Sequence, residues 1–186
     1  MKNRKIWFTL IEILVVICII SILAIWFSQV NYNNISDKQI GNIFTNKIVS
    51  ILETVRNNSL LWKGRWSSLK IPLSWKIEIP YSSWSIITSY ENSAWSYIVD
   101  NELGFTLKTQ EKISKITCKY FWTWATSKYI TSTGTIIFEK EKIKILWCDN
   151  PEDPNYKILQ IRTMYKNFGR TITINTINGV IETSTN

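Results

Sequence analysis

A single carboxylate, Glu12, interrupts an otherwise apolar run from Phe8 to Phe27, FTLIEILVVICIISILAIWF. A carboxylate at membrane depth costs about 2.5–3.5 kcal/mol on insertion scales and normally has a partner. Glu12 is therefore the first residue for which a chemical role has to be found. Few other residues compete for one. The chain has no histidine, which removes Ser-His-Asp and Cys-His catalysis and most zinc sites. Of three cysteines, Cys18 lies in the apolar run, leaving Cys118 and Cys148; there is no Cys-x-x-Cys and no glycine-rich phosphate loop. Asp149, Glu152 and Asp153 offer the hard oxygen ligands that calcium takes, but their loop lacks the glycine such a turn uses and reads as a solvated acidic turn. No catalytic residue, cofactor or metal is expected, and the chain is not expected to be an enzyme.

The element that positions Glu12 is a helix. Twenty residues with one charge span a hydrocarbon core of roughly 30 Å at helical rise. Lys2, Arg4 and Lys5 precede the run and hold the N-terminus in the cytoplasm by the positive-inside bias. Everything after Ser28 is then outside. The run is too long for the core of a secretory signal peptide, and Ser21 to Val30 offers no small-x-small cleavage pair. A lipoprotein signal would want a small residue before Cys18, where Ile17 stands. A plain anchor leaves Glu12 unexplained.

The stretch Trp7-Phe8-Thr9-Leu10-Ile11-Glu12, followed by Ile-Leu-Val-Val, resembles the N-terminal processing signal of type IV pilins and type II secretion pseudopilins. That family has a short basic leader, a glycine, Phe-Thr-Leu-Ile-Glu and a long apolar helix. The resemblance implies cleavage by a prepilin peptidase between Trp7 and Phe8 and N-methylation of Phe8. It also implies a charge pair in the assembled filament between Glu12 and the new Phe8 amine of the same or a neighbouring subunit. Five of six core positions match; the departure is Trp7 where the family has glycine. Weaker marks, Leu52-Glu-Thr-Val-Arg-Asn-Asn-Ser-Leu and the late Phe168-Gly-Arg and Asn178-Gly-Val-Ile turns, rank an H-type minor pseudopilin or minor pilin first among subtypes.

Beyond the apolar run, Asn31-Tyr-Asn-Asn favours a bend or fray, and Ser36-Asp-Lys-Gln39 reads as a capping box restarting or continuing a helix. Ile40, Ile43, Phe44, Ile48, Leu52 and Val55 then form one helical apolar stripe ending near Asn58 to Leu61. After Lys63, short β-rich runs separated by Ser, Thr, Asn, Gly and Pro predict strands at 69–73, 76–79, 85–87, 97–99, 105–107, 115–121, 135–138, 142–147, 158–162 and 170–176. The fold class expected is α+β: a long N-terminal helix, transmembrane half and amphipathic half, packed on a β-rich antiparallel headgroup. The divisions are a leader over 1–7, a transmembrane or filament-core helix over 8–30, an amphipathic half over 31–62 and the headgroup over 63–186. Cys118 and Cys148 fall on predicted strands outside the membrane. They form either a bridge, contributing roughly 3 kcal/mol by the chain-entropy model, or two separate core thiols.

The functional expectation is a structural subunit, a minor pilin or pseudopilin of a type IV pilus or type II secretion pseudopilus. Its partners would be the prepilin peptidase, other pilin subunits and the cytoplasmic membrane, followed by a place in a filament at the cell surface. The alternatives are a DNA-uptake pilin and a single-span anchored extracytoplasmic binding module. The chain has 22 Lys and Arg against 14 Asp and Glu, scattered in sequence, so a nucleic-acid partner has no concentrated basic segment behind it. One compositional oddity remains. Ten tryptophans accompany only six glycines, under half the usual glycine share of about 7%. Trp66, Trp75, Trp84, Trp122 and Trp124 stand in contexts that look like turns, where glycine is the usual residue, and Trp7 stands where the resembled family has its glycine. A code that reads UGA as glycine would leave this pattern when translated with tryptophan at UGA. The competing explanation is a tryptophan-rich surface that binds sugars.

Overall fold

The apolar run forms helix α1 (Leu10–Ser28), and a second helix, α2, covers Tyr32–Leu60. The computed structural model describes residues 9–28, 32–61, 72, 74–81, 85–92, 94–120, 128–130, 133–140, 142–146 and 156–185. The chain divides into two compact units, Met1–Ser36 and Asp37–Asn186. In the first, none of the α1 side chains is buried, and the helix is long and apolar enough to cross a membrane.

The second unit joins residues 37–60 of α2 to eleven strands: β1 (Trp75–Ile79), β2 (Ser85–Glu91), β3 (Tyr97–Val99), β4 (Phe105–Thr106), β5 (Glu111–Tyr120), β6 (Lys128–Ile130), β7 (Gly134–Glu139), β8 (Lys142–Leu146), β9 (Tyr156–Tyr165), β10 (Phe168–Asn175) and β11 (Ile181–Thr185). One sheet runs β3-β2-β1-β7-β8, with β4 also paired to β2; the other runs β11-β10-β9-β5-β6. All pairings are antiparallel. The expected class, α+β with an N-terminal apolar helix and antiparallel sheets, is what the chain adopts.

Strand alternation sets the core. In the second sheet Ile116, Ile161 and Ile172 stand in register, as do Cys118, Leu159 and Ile174, and all six are buried. In the first sheet Ile77, Ile136 and Ile145 stand in register, and they share one buried cluster with Ile79, Phe138 and with Phe44, Ile48, Leu52 and Val55 of α2. Polar ties accompany this contact. Thr45 Oγ1 and Thr163 Oγ1 lie 2.8 Å apart, and Ser59 Oγ donates to the Phe138 carbonyl at 2.9 Å. Lys166 Nζ lies 2.7 Å from Asp37. That hydrogen bond holds the Lys166 ammonium above its usual range, so the ammonium stays charged at neutral pH and its contribution is lost as pH rises through the lysine's raised value.

Several expectations change in detail. Ser36-Asp-Lys-Gln39 lies inside α2, where it continues a helix and does not restart one. Ile43, placed on the apolar stripe by spacing, is 67% exposed. Thr45 occupies the buried position because its hydroxyl can bond both the Gly41 carbonyl and Thr163. Trp75 is not in a turn; it opens β1, is buried and stacks at a tilt on Tyr90 with centroids 5.5 Å apart. Phe168-Gly-Arg is not a turn either. It begins β10, and the reversal sits at Lys166, which takes φ 50°. Strands β6 and β11 were not anticipated: β6 has three residues and β11 carries Glu and hydroxyl side chains. The predicted strand at 69–73 lies largely outside the described residues.

The burial pattern of α2 separates its faces. Leu52→Ala should lower unfolding free energy by about 2–5 kcal/mol, whereas Ile43→Ala should stay within about 0.5 kcal/mol. Urea titration of the two variants checks this; equal losses would mean that the helix buries a different face.

Candidate functional site

Glu12 stands in the first turn of α1, and its partner is local. Glu12 Oε2 accepts from the Thr9 backbone N–H at 2.8 Å and from the Thr9 hydroxyl at 2.9 Å. In return the Glu12 and Ile13 N–H groups donate to the Thr9 carbonyl at 3.0 and 3.4 Å. A helix N-terminus leaves unpaired N–H groups and a partial positive charge. A carboxylate at the third helical position reaching back to the capping residue answers both, as in a capping box. Here the threonine hydroxyl donates to the carboxylate rather than accepting from the backbone. The sequence analysis sought a distant partner for Glu12 and passed over Thr9; Thr-x-x-Glu ahead of an apolar run was the signal. Both bonds go to Oε2, and among the described residues Oε1 has no partner.

Trp7 and Phe8, the expected cleavage and methylation pair, lie outside the described residues. Cys118 is fully buried on β5 and disulfide-bonded, while Cys18 on α1 is free and exposed; Cys148 lies outside the described residues. So does the acidic turn with Asp149, Glu152 and Asp153. Among the described residues no three His, Cys, Asp or Glu side chains gather as metal ligands.

A feature that sequence spacing did not reveal occupies the outer face of the second sheet. Lys115 pairs with Arg162 across β5 and β9, Arg162 with Thr171 across β10, and Thr171 with Ser184 across β11. Thr117 pairs with Gln160 on the next outward rung. With Lys119 and Tyr129 these residues line a groove of about 370 Å³. Lys115 Nζ lies 4.1 Å from the Tyr129 ring centroid, a cation–π contact. The cations are scattered along the chain and converge only once β5, β6 and β9 pair. Their signal, the alternation Lys115-x-Thr117-x-Lys119, becomes legible when the inward face is known to be Ile116 and Cys118.

Comparison with protein-family models, with curated proteins and with solved structures finds no match.

The Thr9–Glu12 geometry separates capping from charge. Glu12→Gln keeps an oxygen for the Thr9 N–H, and Glu12→Ala keeps none. In micelles, amide exchange at residues 10–13 should quicken several-fold in Glu12→Ala and stay near the original rate in Glu12→Gln. Unchanged exchange in the alanine variant would show that the carboxylate does not cap the helix.

Proposed function

We propose that the protein is a type IV pilin-like structural subunit, a minor pilin or pseudopilin, that acts by assembling with its relatives rather than by catalysis. The observation that carries the reading is the sequence Phe8-Thr9-Leu10-Ile11-Glu12 together with the nineteen-residue apolar helix Leu10–Ser28, which has no buried side chain. Apolar surface on that scale needs a bilayer or other apolar helices around it. A membrane holds the helix first, with the basic leader inside and the sheets outside. A filament of like helices holds it afterwards. Prepilin peptidase cleaves before Phe8, and the new terminus is N-methylated.

Glu12 then has two uses. Oε2 caps its own helix, while Oε1 is open to the Phe8 amine of a neighbouring subunit. A subunit in the wrong register would leave an ammonium and a carboxylate unpaired in an apolar interior, which is costly for each. The mature N-terminus tests this reading. Mass spectrometry of the exported protein should find N-methylated Phe8; an intact Met1 would leave only a plain anchor. Glu12→Gln should insert normally and enter filaments poorly, since it keeps the cap and removes the charge. Filament incorporation equal to the original would end the pairing role.

The groove on the second sheet favours a second reading, a DNA-uptake pilin. Lys115, Lys119 and Arg162 supply phosphate-binding charge, and Tyr129 supplies an aromatic face beside them. Labelled single-stranded DNA should bind weakly, and more weakly as salt rises; Lys119→Ala should cut the salt slope by about one. No binding at low salt would remove this reading and leave the structural one standing.

A further inference from the structure

Two hairpin loops in the second unit are built on one plan. Between β10 and β11, Asn175 opens the loop: its side chain accepts from the Ile177 N–H at 2.9 Å, and its carbonyl accepts from the Gly179 N–H at 2.8 Å. Gly179 takes φ +69°, and the Asn175 N–H donates to the Val180 carbonyl at 2.9 Å to close the loop. Between β2 and β3, Asn92 does the same work. Its side chain accepts from the Ala94 N–H at 2.9 Å, its carbonyl accepts from the Trp95 N–H at 3.1 Å, and its N–H donates to the Ser96 carbonyl at 2.8 Å. The residue in the left-handed region, at φ 59°, is Trp95. The first loop is one residue longer, Asn175 to Val180 against Asn92 to Ser96, and the residue just before the closing one is glycine in one and the largest side chain in the other.

Left-handed backbone is where glycine is the default and a bulky residue an outlier. Lysines do take it elsewhere in this chain, with φ 54° at Lys140 and 50° at Lys166. Lys166 has compensation, an ion pair with Asp37 and the Tyr165 ring beneath its ammonium. Trp95 has none: it is 76% exposed, and among the described residues its indole has neither a hydrogen bond nor a ring contact. Trp75 differs, being buried against Tyr90, and it keeps a packing reason to be tryptophan.

We propose that the protein made in its own cell carries glycine at position 95 and at position 7, both codons being UGA read there as glycine. Position 95 stands on the loop geometry and on the ratio of ten tryptophans to six glycines. Position 7 rests additionally on the pilin reading, in which a small residue must precede the cut. On that reading, glycine at position 7 supplies the small residue before the bond between positions 7 and 8.

The codons and the native protein decide it together. The expected result is UGA at position 95 in the gene and glycine in the proteolytic peptide spanning residues 92–96 of protein taken from the source cell. UGG at position 95, or tryptophan in that peptide, would overturn the proposal. In the full chain made with tryptophan at UGA, Trp95→Gly should raise the melting temperature while Trp95→Ala should not; a drop with glycine would overturn the structural half. The two functional claims remain separable. Glycine at 95 without a cut before Phe8 keeps the recoding and sinks the pilin reading, and an N-methylated Phe8 with tryptophan at 95 does the reverse.

Discussion

The core of the second unit depends on one rhythm along α2. Gly41, Thr45, Ile48, Leu52, Val55 and Ser59 follow at spacings of three and four, and each is buried. The middle of the row is apolar and joins the core that both sheets share. Its ends are small or hydroxylated, which suits what they meet: Gly41 faces the Cβ atoms of Tyr165 and Phe168, and Ser59 meets the Phe138 carbonyl. A larger residue at either end would press on backbone or on neighbouring Cβ atoms. An apolar one at Ser59 would leave that carbonyl without its side-chain donor.

The first unit answers to a different solvent. In α2 apolar and polar residues divide between faces, whereas α1 is apolar all round, with Glu12 its only charge. A helix of that kind has no face to turn toward water. The single carboxylate is placed where a carboxylate costs least, at the helix start, against unpaired N–H groups. One residue thus stabilises the helix locally through Oε2, while among the described residues its Oε1 has no partner.

Much of this was legible in the residues. The apolar run, the helical stripe and most strands follow from period and punctuation, because burial imposes those periods directly. Register was not. Lys115 and Arg162 are 47 positions apart, and only the pairing of β5 with β9 makes them neighbours. Ile43 and Thr45 exchanged roles because hydropathy ranks isoleucine as buried and cannot see a hydroxyl waiting on another strand. β11 escaped notice because strand signals are tuned to half-buried apolar residues, and Glu182, Thr183, Ser184 and Thr185 lie mostly in solvent. The Thr9–Glu12 cap was visible as a spacing; the apolar context drew attention to charge instead.

Gly179 gives the last hairpin an unusual dependence on the helix. A Cβ built there would fall 2.6 Å from the Arg56 guanidinium, and Arg56 Nη2 lies 3.5 Å from the Asn178 carbonyl. The turn works as a socket for a side chain 123 positions earlier in the chain. The two ends of β11 are thus unequal as sites of change. Extra residues after Thr185 meet no such constraint within the described chain, whereas an insertion at 178–180 would unseat Arg56 and be felt along α2.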